Sequence, residues 1–238
     1  MALYLVPSPI GNLGDISRRA IETLKLCTLI AAEDTRSARR LLAAYDISTD
    51  GKQILAYGDH NEFYAAPNLA EALKQGADIA VVSEGGTPLV SDPGYRLVQA
   101  ALEAGVAVIP LPGPCAAIVA LTGSGLPVHG FIFRGFLPKK PGARRRILES
   151  LREREETLIF YESPQRVPKV LPEFVEIFGA DRPACLAREL SKIHETFLRM
   201  PLGELAARVE AEPPRGECTL LVAGVTRKRD SDEDEAPA

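Results

Sequence analysis

Tryptophan is absent from the 238 residues, and aromatic residues as a whole make up only 6%. Aromatic interleaving of the kind that grips single-stranded nucleic acid by stacking its bases is weak, so base recognition would depend on a pocket and not on a stacking platform. Cysteine is scarce too. Cys27, Cys115, Cys185 and Cys218 are scattered without metal-ligand spacing, and His60, His129 and His194 do not cluster with them in sequence; no metal site is expected. No apolar run approaches the roughly 20 residues that a membrane helix needs, and the start MALYLVPSP lacks the basic region and cleavage pattern of a signal peptide. A cytoplasmic protein without membrane contact is the expectation. Two phosphate motifs are missing as well: there is no G-x-x-x-x-G-K-[ST] loop, and no G-x-G-x-x-G after the first strand. That counts against nucleotide hydrolysis and against a conventional dinucleotide site.

What is present is an ordinary globular composition, 46% hydrophobic and 25% charged, enough for a substantial core in one large or two small domains. The net charge of −4 misleads, because Asp230, Asp232, Glu233, Asp234 and Glu235 crowd the last few positions. Without that run the chain is close to neutral with local basic patches, and residues 227–238 are expected to be a disordered tail.

The first half alternates short apolar runs with helical periodicity. Strands are expected at 3–6, 29–32, 53–57, 79–82 and 106–111, with helices at 15–27, 37–45, 68–75 and from about Pro93 to Gly105. This is the pattern of a parallel α/β sheet. The unusual sequence sits on one side only, at the strand exits: PSPIGN (7–12), EDTR (33–36), YGDHNE (57–62), SEGGTP (83–88) and PLPGPCA (110–116). Open α/β sheets bind ligands at the carboxyl ends of their strands. Of these stretches, IAVVSEGGTPLVSDPGY (79–95) is central. A buried strand breaks into small and turn-forming residues that leave bare backbone where a ligand could approach, although turn-making alone also explains Gly and Pro there. Ser91 and Asp92 are candidate helix N-caps, and Pro93 suits a first helical position.

Beyond Ala116 the pattern shifts. Strands are expected at 131–136, 157–161, 183–187, 194–200 and 218–223, with helices at 143–154, 168–178 and 202–210. Adjacent strands near the end favour a mixed sheet. The domains are therefore placed at 1–115 and 116–226, and ligand-bearing edges on both imply a cleft between them. The basic segment Lys139, Lys140, Arg144, Arg145 and Arg146 follows a strand exit and suits a phosphate-binding loop, with a merely solvated face as the alternative. Asp34 reads either as an N-cap or as a chemical group. His60, in a polar loop, favours a functional role.

Several stretches together carry a family resemblance. Pro7-Ser8-Pro9-Ile10-Gly11-Asn12-Leu13-Gly14-Asp15, Ala32-Glu33-Asp34-Thr35-Arg36, Gly85-Gly86-Thr87-Pro88 with Ser91-Asp92-Pro93-Gly94-Tyr95, Pro112-Gly113-Pro114, Tyr161-Glu162-Ser163-Pro164 and Ala187-Arg188-Glu189-Leu190 resemble, in order and over residues 3–224, the ribosomal RNA small subunit methyltransferase I family. That family lies within the tetrapyrrole methylase superfamily. The chain departs from its pattern at Glu84, often Asp, at Gln165, often His, and in ending on an acidic tail where longer members carry a helical segment.

The resemblance implies two α/β domains with S-adenosyl-L-methionine in the cleft between them and a homodimer. It also implies methylation of a cytidine ribose 2'-hydroxyl in the decoding region of small-subunit rRNA. It further implies cofactor contacts at Pro7, Gly85, Gly86, Thr87, Val90, Cys115, Ala116, Tyr161, Glu162 and Leu190. Cys115 reads as a small packed residue, since methyl transfer to oxygen needs no covalent enzyme intermediate. A weakly acidic hydroxyl needs alignment and help in losing a proton, so Asp34 or His60 is expected as base, with Arg36 or Lys192 holding phosphate or a developing alkoxide. Lys139, Lys140, Arg144, Arg145 and Arg146 would contact RNA. Two alternatives stand beside this reading: a methylase of a tetrapyrrole precursor on the same fold, and a non-catalytic RNA-binding factor in ribosome assembly.

Overall fold

The computed structural model describes residues 1–226, so the acidic run expected to be disordered lies outside the described residues. The chain divides into two units, one of residues 1–119 with 190–193 and one of 120–189 with 194 onward. The sequence reading set the division slightly earlier, after Cys115, and left 190–193 in the second domain.

The first unit runs β1 (Ala2–Leu5), a 3-10 turn (Leu13–Asp15), α1 (Arg18–Leu26), β2 (Leu29–Ala32), α2 (Thr35–Ala44), β3 (Gln53–Ala56), α3 (Glu62–Lys74), β4 (Ile79–Val82), α4 (Tyr95–Glu103), β5 (Ala107–Pro110) and the start of α5 (Ala116–Gly123). Its sheet has the order β3-β2-β4-β1-β5 with every pair parallel. All four residues of β4 are buried, as a strand covered on both faces requires. Side chains alternate across it. Ala80 and Val82 pack with Ala20 and Leu24 of α1 and Ala38 and Leu42 of α2. Ile79 and Val81 pack with Leu69 and Leu73 of α3 and Leu97 and Ala101 of α4 on the opposite face. Each fully buried Leu here stabilises by about 1.5–3 kcal/mol relative to exposure. One consequence positions everything that follows: neighbouring strands β1 and β4 lead into helices on opposite faces. Their connections head for opposite faces of the sheet, the arrangement that places ligand sites at the carboxyl ends of such strands.

Two helix starts differ from the sequence reading. Helix α3 begins at Glu62, not Asn68, and carries Pro67 inside it. Helix α4 begins at Tyr95 after the N-cap Gly94, which makes no side-chain cap bond, so neither Ser91 nor Asp92 caps it and Pro93 lies outside. The orphan amides are capped from another helix. Glu62 Oε1 accepts from the Gly94 and Arg96 amides (3.1 and 3.0 Å) and from the Tyr57 hydroxyl (3.1 Å). Asp92 is thereby free of capping duty.

The second unit continues with β6 (Phe131–Phe136), α6 (Pro141–Leu151), β7 (Thr157–Glu162), α7 (Val167–Phe178), β8 (Pro183–Arg188), β9 (Thr196–Pro201), α8 (Leu202–Ala211) and β10 (Cys218–Val222). Its sheet, β6-β7-β10-β8-β9, pairs β6 with β7 in parallel and is otherwise antiparallel. The core gathers Phe160, Leu171, Phe174, Leu205 and Leu220, with the Phe160 and Phe174 rings edge to face at 5.1 Å. This is the expected mixed sheet.

Candidate active site

The crevice between the β1 and β4 exits is built by backbone. Ser8 and Gly86 exchange both of their main-chain hydrogen bonds (2.9 and 3.0 Å), and the hydroxyl of Thr87 donates to the Pro114 carbonyl (2.8 Å) beyond β5. Three strand exits are thus tied into one rim. Gly86 sits there at φ +88° with Ile10 beside the place a Cβ would occupy, a conformation that L side chains rarely adopt. Leu89 and Ser91 are also at positive φ (+71° and +69°) without being glycine. Such strain persists only where the surroundings impose it, and it marks a loop worth testing for function.

The expected cofactor positions of the first unit gather on this rim. Pro7 and Gly86 flank the paired Ser8, Thr87 reaches Pro114, Val90 closes a turn onto the Thr87 carbonyl (3.3 Å), and Cys115 with Ala116 opens α5. Gly85 is exposed, and no hydrogen bond to another described residue engages its amide. Leu190, almost fully buried, belongs to this unit although it lies far along the chain. Lys192 comes with it: any side chain at Gly11 would overlap the Lys192 stem and press on the Leu190 carbonyl (2.8 Å). The rim therefore offers backbone groups and small side chains, a donor set suited to a neutral or zwitterionic organic cofactor and not to a metal. Among the described residues no group of three or more His, Cys, Asp or Glu side chains is arranged to hold a metal ion.

Next to the rim is a cavity of about 360 Å³ lined by Ser8, Pro9, Gly11, Ser83, Glu84 and the α2 residues Ser37 and Arg40. Its volume lies within the usual range for small-molecule sites.

The expected bases fare unequally. Asp34 is the N-cap of α2, accepting from the amides of Arg36 (2.6 Å) and Ser37 (3.3 Å), with the Arg36 guanidinium at 3.4 Å. The Arg36 amide foremost, then its guanidinium and the Ser37 amide, hold the carboxyl below the ordinary aspartate range. A carboxylate stabilised in this way binds a proton poorly. Arg36 is largely exposed. His60 is exposed at the β3 exit.

Sequence reasoning missed the opposite case. Glu33, Asp59, Glu84 and Asp92 come from the exits of β2, β3 and β4, and their charges act on one another. Burial first, then Glu33, and more weakly Glu84 and Asp59, push Asp92 up to about 7, against a lowering by the Ser83 hydroxyl. Burial, Glu84 and Asp59 also raise Glu33. Each acid lies in a different motif, and only the strand order β3-β2-β4 makes them neighbours. The one signal in the sequence was that every exit in this row carries an acid.

In the second unit the basic segment is a helix and not a loop from Pro141 on. Arg144 is partly buried against Glu173 (2.5 Å), and Arg145 makes a two-pronged pair with Glu176 (2.6 and 2.9 Å) while also reaching Glu149 (2.9 Å). Lys139, Lys140 and Arg146 remain exposed. Tyr161 packs between Phe133 and Phe136 (centroids 4.9 and 5.6 Å). Glu162 is 3% exposed: Oε1 accepts from the Ser163 amide (2.8 Å), and Oε2 faces Arg166 at 3.2 Å without an aligned hydrogen bond. Burial raises its pKa, opposed by that amide and by Arg166.

Comparison with known proteins places this arrangement. The model of the Tetrapyrrole (Corrin/Porphyrin) Methylases matches residues 2–206. The fold is similar to the methyltransferase CobJ (TM-score 0.70, 20% identity, 96% of each chain covered) and to uroporphyrin-III-C-methyltransferase of Thermus thermophilus (0.65, 18%, covering 93% of this chain and 94% of that one). Far nearer in sequence are proteins named ribosomal RNA small subunit methyltransferase I. That of Micromonospora olivasterospora is 50% identical over 99% of this chain and 74% of its own length, and that of Vibrio cholerae 48% over 99% and 80%. The chain belongs to the tetrapyrrole methylases and, within them, to the ribosomal RNA small subunit methyltransferase I family.

Proposed function

We propose that this protein methylates the 2'-hydroxyl of a cytidine ribose in the decoding region of small-subunit rRNA, using S-adenosyl-L-methionine, as a cytoplasmic homodimer. The observation that carries the reading is the near-half identity, across almost the whole chain, to relatives named for rRNA methylation, joined to a strained, backbone-lined rim on a methylase fold. That identity favours RNA over the tetrapyrrole alternative, since the likeness to corrin and porphyrin enzymes is of fold alone.

Pro7, Gly85, Gly86, Thr87, Val90, Cys115, Ala116 and Leu190 would hold the cofactor, mostly through main chain and shape. The parts assigned to Tyr161 and Glu162 rest on the family resemblance. When bound, the cofactor supplies an activated methyl group on a sulfonium. The protein's remaining work is to align the ribose oxygen and remove one proton. The cavity beside the rim would seat the target nucleoside, with Arg40 offering a positive charge for its phosphate, and Lys192, held over Gly11, a second. Of the basic segment on the second unit, Lys139, Lys140 and Arg146 are left exposed to meet RNA.

Transfer of labelled methyl to small subunits that lack their own modifications, followed by nuclease mapping, tests the reading: label should map to one cytidine ribose. Absence of transfer with intact cofactor affinity would leave the binding-factor alternative. Sedimentation of the full chain checks the dimer.

A further inference from the structure

A hydroxyl that accepts a methyl group must shed a proton, and the two bases expected from sequence are poorly placed to take it. Asp34 is committed to the first turn of α2, and His60 stands exposed in the β3 exit.

Ser83 is placed differently. It lines the cavity beside the rim, and its hydroxyl donates to the Gly86 carbonyl at 3.2 Å while standing close enough to Asp92 to act on that carboxyl. A serine hydroxyl rotates freely between acceptors. Asp92 has no capping duty, because Glu62 serves α4. It is partly buried in a loop held by positive-φ residues on either side of Val90, Leu89 and Ser91.

We propose that Ser83 and Asp92 form the proton relay of this site, Ser83 touching the substrate hydroxyl and Asp92 receiving the proton behind it. The inference rests on the transferase reading above. In the step, the O–H electron pair of the ribose hydroxyl stays on oxygen and becomes its bond to the incoming methyl, while the sulfonium donor keeps the S–C pair as a thioether. The ribose proton passes to Ser83 Oγ, the serine's own proton passes to the Asp92 carboxylate, and water later collects it. The charged groups that act on Asp92 are Glu33 from the β2 exit, Asp59 from the β3 exit and Glu84 beside Ser83; all are negative and favour the protonated product. Their repulsion, with burial, sets the carboxyl near the working pH, where a base is most effective.

The test is single-turnover methyl transfer to small subunits from pH 5.5 to 9, with cofactor affinity measured in parallel. Asp92→Asn and Ser83→Ala should each lose on the order of 10²-fold in rate with cofactor affinity kept, and the double variant should be little worse than the poorer single one, as for groups acting as a unit. The acid limb of the wild-type pH profile should be absent in Asp92→Asn. Infrared difference spectra supply a readout apart from activity: a carboxyl band that titrates near neutral pH should vanish with Asp92→Asn. If the wild type transfers methyl while Asp92→Asn keeps both its rate within about threefold and its acid limb, the relay is wrong and the transferase reading stands; retention of rate by Ser83→Ala overturns the serine's part even if Asp92→Asn fails to fold. If the wild type transfers no methyl, the reading and the relay fall together.

Discussion

Two regions of the molecule, one in each unit, handle charge in opposite ways. In the second, cations meet anions: Arg144 has Glu173, Arg145 has Glu176, and Arg166 has Glu162. At the strand exits of the first, four carboxylates from three exits act on one another through their charge. Paired charges hold helices and strands together, whereas crowded like charges cost stability and persist where they serve something else. One region is a frame and the other a candidate working edge, and variants on either side test that difference.

The largest effect should come from the frame. Arg144 and Glu173 are both nearly buried, with 12% and 13% of their side chains exposed. Glu173→Ala would leave a guanidinium without its partner, at a cost on the order of 3–5 kcal/mol. Denaturant unfolding should show the loss. A cost below about 1 kcal/mol would mean that water already serves this pair and that Arg144 is available to a phosphate after all. Arg145→Ala, at the surface, should cost under about 1 kcal/mol.

A smaller effect separates the two kinds of basic residue. Replacing Lys139 and Lys140 together should weaken binding to small subunits and reduce the salt slope by about 1–2, as fewer counterions are released. Arg145→Ala should leave the slope nearly unchanged, because its charge is matched within the protein. Equal slopes for both variants would erase the distinction between paired and available cations.

Most of the architecture was legible in the sequence because each strand of the first unit is a short apolar run and each helix has a clear face. The strands at 29–32, 79–82 and 131–136 fall where the pattern put them. One misreading has a plain cause. Ser91 and Asp92 suggested an N-cap, the usual local signal, but Glu62 caps α4 from 32 residues away, and no local window contains that bond. The same holds for the site. Glycine and proline at the exits are local signals of bare, turning backbone, whereas the cluster around Asp92 depends on strand order. Arg144 to Arg146 looked like one patch in sequence; the helical turn sends the first to Glu173 and the second to Glu176.

The smallest effect tests whether the working edge is under strain at all. Asp92 has an ordinary value of 3.8 when unfolded and sits at about 7 in the fold, so the folded protein binds this proton more tightly. Stability from this group is therefore present below the unfolded value and is lost as the pH climbs from about 4 through 7. Asparagine keeps the shape and removes the charge. Asp92→Asn should accordingly be more stable than the wild type above pH 7, by on the order of 1 kcal/mol once solvent screening of a partly exposed group is allowed for. For a chain of this size that is a rise in the melting midpoint of about 2–4 °C. The advantage should shrink steadily toward pH 4. Melting curves of the two proteins at pH 8, 6.5 and 5 decide it: a constant difference, or a wild type that is more stable at pH 8, would show that the four carboxylates are relieved by solvent and that the first unit manages its charge no differently from the second.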